Sequence, residues 1–167
     1  LEGERLSISA ASLSAAEIPE TLAGQMRSSV MLLGPLLARL GRVETSLPGG
    51  CRIGKRPVDL HIRGLTELGA VVRIEDNRIR AEAPPAGLLG AEIHLPYPSV
   101  GATENILMAA AGARGETVLV GAAREPEIGI LCSFLKAMGV SVEGAGSSVI
   151  RVRGTGSFRD SRFSLPG

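Results

Sequence analysis

At 167 residues and a formal net charge of +1, the chain can bury one hydrophobic core and has no basic surplus to attract nucleic acid. Tyr97, Phe134, Phe158 and Phe163 are its only aromatics, so Leu, Ile, Val, Ala and Met must fill that core. Two distant cysteines make neither a disulfide framework nor a zinc site, which leaves a reduced, cytoplasmic setting with no metal and no cofactor. No signal peptide and no membrane-spanning apolar run is evident. A start at Leu1 and an end at Leu165-Pro166-Gly167 suggest a piece of a longer protein.

In chain order, Arg5–Ser9 alternates weakly and predicts a strand. From Thr21, the apolar positions Leu22, Met26, Val30, Leu33, Leu37 and Leu40 recur at helical spacing, with a kink or break expected at Gly34-Pro35. Val43–Leu47 alternates as a strand. Val58, His61, Leu65 and Leu68 mark one face of a second helix that stops at Gly69. Val71–Glu75 and Arg78–Glu82 flank Asp76-Asn77, a hairpin signal. Ala91–Leu95 is a further strand.

Ser99 or Thr103 can cap a third helix running to about Arg114, and Thr117–Val120 is a strand. Glu125-Pro126-Glu127 opens a fourth helix with a buried stripe at Ile128, Leu131, Leu135 and Met138. Ser141–Glu143 and Val149–Val152 close the chain as a hairpin about a Gly-rich turn.

This order repeats. Gly64–Ala70 aligns with Phe134–Val140 seventy positions later, whereas the block starts Gly41 and Gly115 are seventy-four apart. The first block therefore carries about four extra residues, and the natural place for them is the loop around Cys51. Alternating helices and strands with hairpins exclude an all-parallel doubly wound sheet and predict a mixed α/β (α+β) fold.

That loop, Leu47–His61, carries the densest chemistry. Gly49, Gly50 and Gly54 let the backbone move or approach a ligand closely. Arg52, Lys55 and Arg56 favour the thiolate of Cys51. Pro57 suits the first position of a helix, whose N-terminus then faces the same region. An anion beside a nucleophile or acid is the functional reading; a surface loop with incidental charges is the plain one. Cys132, on an apolar helix face, reads as a buried inert thiol. His61 can support the loop or simply pack the helix, and His94 alternates outward in a strand. Glu125 and Glu127 suit a helix start better than acid–base work.

Met26–Ser29, Leu33–Leu36, Leu47–His61, Pro98–Thr103 and Ala122–Glu127 together resemble the UDP-N-acetylglucosamine 1-carboxyvinyltransferase family, the enolpyruvyl transferases that open peptidoglycan synthesis. The similarity runs from about Gly24 to Gly154. It implies an inside-out α/β barrel of the enolpyruvyl transferase type, of which residues 1–167 would be a single partial domain with about two of three repeat units. The first unit and the second domain of the parent enzyme would be missing.

The resemblance also implies roles. Cys51 matches the loop cysteine tied to protonation, to adduct formation with phosphoenolpyruvate, to product release and to alkylation by fosfomycin. Arg27 and Arg56 match arginines serving the phosphate and carboxylate of phosphoenolpyruvate, a task that suits a planar guanidinium. Arg56, Pro57, Val58, Asp59 and Leu60 match the segment around uridine and its diphosphate. Ser99, Val100 and Gly101 match a second nucleotide-contacting loop. Tyr97 replaces a lysine of some members and inherits no role. The implied partners are UDP-N-acetylglucosamine, phosphoenolpyruvate and the second domain. The rival readings are a non-catalytic binding or structural module that keeps the fold, and a relative of the shikimate-pathway enolpyruvyl transferase.

Overall fold

The computed structural model of the chain describes residues 5–25, 28–47 and 58–165. In order they form α1 (Glu20–Gln25), a 3-10 turn (Ser29–Leu32), α2 (Leu33–Leu40), β1 (Arg42–Ser46), α3 (Asp59–Glu67), β2 (Val71–Glu75) and β3 (Arg78–Glu82). There follow β4 (Glu92–His94), α4 (Val100–Gly112), β5 (Glu116–Val120), α5 (Pro126–Ala137), β6 (Ser141–Glu143) and β7 (Val149–Arg153).

Two sheets result. The first has the order β1-β3-β2 and the second β4-β5-β7-β6. In each, a strand pairs antiparallel with the second arm of the hairpin that follows it, β1 with β3 and β5 with β7. A helix intervenes in both cases, α3 in one block and α5 in the other. The connection into α3 covers 47–58, whereas that into α5 covers only 121–125. The surplus chain therefore lies between the first strand and helix of the first block. β4 joins β5 in parallel, and its counterpart at the smaller sheet is a single parallel bridge between Glu17 and Glu44 of β1.

The helices hold the core together. α4 packs on α2, α3 and α5 and reaches the second sheet through β5 and β7. Its Ala102, Ile106, Leu107, Ala109, Ala110 and Ala111 are buried, so it is enclosed on nearly every side, as an apolar helix without a polar face must be. Small residues bring its neighbours close. A Cβ on Gly112 would stand 2.9 Å from Cβ of Ala38 on α2, and Gly64 of α3 faces the side chain of Ile106.

Several expectations hold and several need correction. Asp76 and Asn77 take φ of 48° and 61°, as a two-residue hairpin turn between right-twisted strands requires. Residues 6–10 form no strand; Leu6 and Ile8 are exposed, so the alternation has no buried face to fix a register. The long first helix is instead α1, the 3-10 turn and α2. Of the expected kink or break at Gly34-Pro35, the structure has a break just upstream: α2 begins at Leu33, so Pro35 sits in its first turn, where its missing N–H is not needed. On α5 the fully buried positions are Ile128, Cys132 and Leu135, while Leu131 and Met138 are half-buried.

Candidate functional site

The start of α3 is made from Val58, Asp59 and Leu60. The carbonyl of Val58 accepts from the N–H of Ile62 at 3.0 Å, and Asp59 is exposed in the first turn, where its charge suits the helix dipole. Leu60 is buried in the core, so it can offer a ligand only its backbone. Val58 has no side chain able to cap, which leaves the first-turn N–H groups of α3 in need of a partner from elsewhere.

The start of α4 is better defined. Ser99 is extended, its Oγ accepts from the N–H of Ala102 at 3.4 Å, and its carbonyl accepts from the N–H of Thr103 at 2.9 Å. The N–H groups of Val100 and Gly101 precede those bonds, so an anion at this helix start would meet them first. Thr103 is not the cap. It is buried, and its Oγ1 accepts from the N–H of Ala123 at 3.0 Å, tying α4 to the loop before α5. Tyr97 is exposed ahead of α4.

His61 brings the two helix starts together. A Cβ built on Gly101 would lie 3.3 Å from Cε1 and 3.4 Å from Nε2 of the imidazole, and 3.5 Å from Sδ of Met31. First-turn residues of α3 and α4 are thus in contact, and the positive ends of both helix dipoles lie at one end of the molecule. Behind His61 stands Asn105, fully buried on α4. Its Oδ1 accepts from the N–H of Gly34 at 2.7 Å, while its Nδ2 donates to the carbonyl of Val30 at 3.1 Å and lies 3.0 Å from Nδ1 of His61.

Burial holds the imidazole below the usual histidine value of 6.5, with the charge of nearby Asp59 acting weakly the other way. The unfolded chain therefore takes up a proton at position 61 at a pH where the folded chain does not. Stability should be fullest above 6.5 and fall as the pH drops below it. Thermal melts between about pH 7.5 and about 5.5 should slope less steeply in a His61→Asn variant than in the parent sequence. Equal slopes would remove His61 from this account.

Other titratable groups lie apart from this end or look structural. The thiol of Cys132 is buried and pushed up by that burial, as expected of an inert side chain. His94 is exposed, 2.7 Å from Oε1 of Glu92. Oε2 of Glu125 accepts from the N–H of Arg124 at 2.8 Å, next to the start of α5. Burial, and secondarily Glu127, raise the carboxyl of Glu104. Glu44 is held low by hydrogen bonds from Arg78 and then Arg80, an exposed web on the first sheet that contributes little to stability. Among the described residues no cluster of His, Cys, Asp and Glu could share a metal ion, and no helix is long and apolar enough to cross a membrane.

Of the residues singled out in the sequence, Val58, Asp59, Leu60, Ser99, Val100 and Gly101 therefore gather at one end. Arg27, Cys51, Arg56 and Pro57 lie outside the described residues.

The sequence profile of the EPSP synthase (3-phosphoshikimate 1-carboxyvinyltransferase) family matches residues 2–167. The chain belongs to that family. Within it, the chain is 55% identical over 153 residues to the UDP-N-acetylglucosamine 1-carboxyvinyltransferase of Rhodospirillum centenum, covering 92% of this chain and 35% of that protein. It is 47% identical over 165 residues to the enzyme of the same name from Finegoldia magna, covering 99% of this chain and 39% of that protein. The chain thus spans under two fifths of the length of these curated relatives. The fold is that of the family: the enolpyruvyl transferase NikO from Streptomyces tendae superposes with a TM-score of 0.70 at 23% identity, over 85% of this chain and 33% of that one.

Asn105 escaped the sequence reading. The available signal is an amide bordering the apolar run Ile106–Ala111, where a polar side chain must find partners or cost stability.

Proposed function

We propose that this chain is part of the Cys-loop domain of an enzyme that moves the enolpyruvyl group of phosphoenolpyruvate to the 3-hydroxyl of UDP-N-acetylglucosamine, releasing phosphate. The observation that carries this reading is the contact between the starts of α3 and α4, where His61, directly after one segment that resembles a nucleotide-binding loop of the family, meets Gly101 in the other. Two helix N-termini at one end suit a diphosphate, because free N–H groups and both dipoles favour negative charge there. The names of relatives about half identical to this chain support the sugar nucleotide as acceptor.

In chemical terms, the 3-hydroxyl gives up its proton to a base as its oxygen bonds to C2 of phosphoenolpyruvate, and a proton arrives at C3. The C2–O bond to phosphate then breaks as C3 loses a proton, restoring the double bond. Cys51, by resemblance, takes part in the proton chemistry, and Arg27 and Arg56 hold the phosphate and carboxylate. Val58, Asp59, Leu60, Ser99, Val100 and Gly101 hold the nucleotide. The same reading takes the two strand–helix–hairpin blocks as units of an inside-out α/β barrel, closing on a second domain in the cytoplasm as an early step of peptidoglycan synthesis.

The test uses the full-length protein that carries this segment. Phosphate release from phosphoenolpyruvate should require UDP-N-acetylglucosamine, and shikimate 3-phosphate should not replace it. Fosfomycin should add to Cys51 more readily with UDP-N-acetylglucosamine present, seen as a mass shift on the Cys51 peptide. An adduct on Cys132 alone, or turnover with shikimate 3-phosphate only, would overturn the assignment. The 167-residue chain by itself should show no turnover.

A further inference from the structure

Asn105 touches three separate parts of the chain, and the hydrogen-bond chemistry fixes its orientation. The N–H of Gly34 can only donate, so it must face Oδ1. The carbonyl of Val30 can only accept, so it must face Nδ2. The second hydrogen of Nδ2 is then left for His61, whose Nδ1 accepts it at 3.0 Å. With its Nδ1 lone pair engaged, the neutral imidazole carries its proton on Nε2, the edge that lies against Gly101. Asn105 and His61 are both buried, at 0% and 8% exposure, so water is a poor substitute for either partner.

We propose that Asn105 is a positioning residue for the ligand site, fixing the start of α2, the start of α3 and the start of α4 at set spacing, with His61 as the link between the last two. The proposal rests on the functional reading above, since it concerns how the nucleotide-bearing helix starts are held. Asn105 reaches Gly34 and Val30 directly, and reaches the first turn of its own helix through the ring of His61 against Gly101. A leucine at 105 would keep the bulk but leave the buried N–H of Gly34 and Nδ1 of His61 without partners, while the carbonyl of Val30 would keep only the N–H of Leu33. The start of α3 would then lose its tie to α4, and the two sets of N–H groups would no longer meet a diphosphate at fixed separation.

The experiment compares variants in the full-length protein carrying this segment, with steady-state kinetics against UDP-N-acetylglucosamine and phosphoenolpyruvate. Asn105→Leu should raise the KM for UDP-N-acetylglucosamine about tenfold while changing kcat less than about threefold, a split that general loosening of the fold would not give. His61→Leu should do the same. His61→Asn should give a smaller rise than His61→Leu, because its amide oxygen falls near the position of Nδ1 and can accept from Asn105, although it lacks the ring edge that lies against Gly101. Nitrogen-15 spectra of the parent protein should show His61 protonated on Nε2 and bare on Nδ1.

A proton on Nδ1 in the parent, or an unchanged KM in His61→Leu, would overturn the proposal. If Asn105→Leu fails to fold, the His61 pair and the spectra decide by themselves. Absence of UDP-N-acetylglucosamine turnover in the parent would instead overturn the functional reading, and with it the ligand named here.

Discussion

Gly34→Ala should lower the stability of the chain by about 3 kcal/mol, the upper end of what overpacking usually costs. A Cβ at this position would collide with the backbone carbonyl oxygen of Asn105 and stand 2.5 Å from its Oδ1. The backbone of a buried helix cannot yield as the end of a flexible side chain can. The Asn105 amide could move only by giving up the 2.7 Å bond from the N–H of Gly34. One methyl group thus forces α2 away from α4 and undoes a buried polar contact. Thermal unfolding is the direct measurement, with an expected fall of about 10 °C for a domain of this size. A fall under about 2 °C would mean that the crossing of α2 and α4 is much looser than described.

The second large effect is a reversal of sign. Ile106→Ala should cost about 3 kcal/mol, since Ile106 is fully buried and its removal leaves a cavity against α3. Gly64→Ala alone should cost about 1–2 kcal/mol, because its methyl would overlap Cγ1 and Cδ1 of Ile106. Combined, the two should compensate. With the isoleucine gone, the methyl at 64 fills part of the space, and alanine is the better residue inside a helix by about 1 kcal/mol. Gly64→Ala is therefore destabilising in the parent and stabilising in the Ile106→Ala background, giving a coupling of about 2–3 kcal/mol in a double-mutant cycle by urea unfolding. Additive effects would show that α3 and α4 are not in register at this point.

The elements legible in the sequence were those whose local signals agree with their surroundings. Asp76-Asn77 lies between two strands of matched length, and both residues tolerate the positive φ that the turn needs. Ser99 and Glu125-Pro126-Glu127 mark helix starts by residue type, and α4 and α5 begin there. Gly69, at a φ of 92°, ends the turn after α3 where the sequence predicts the helix stop.

The misses have physical causes. Arg5–Ser9 alternates, yet Leu6 and Ile8 stay exposed, so among the described residues of this stretch only Arg5 makes a bridge and no strand forms. Around Gly34-Pro35 the apolar spacing predicts one long helix with proline inside it, whereas α2 begins just before the proline. Cys132 was rightly taken as buried, but the stripe drawn through Leu131 missed that the fully buried positions run through Cys132 instead. Of the site, the two helix starts could be read from residue types and resemblance. Their contact could not, because His61, Gly101 and Asn105 meet only through the packing of α3 on α4.

The enclosure of α4 also sets how its sequence can drift. Of the positions along its middle, only Glu104 and Met108 are half-open, one turn apart on a single line, while the residues between them are buried. Glu104 and Met108 can exchange for other side chains without refilling the interior. Elsewhere along the helix a change of size needs a matching change on α2, α3, α5 or the second sheet. Substitutions in α4 should therefore arise in pairs across those contacts, and singly along one narrow line.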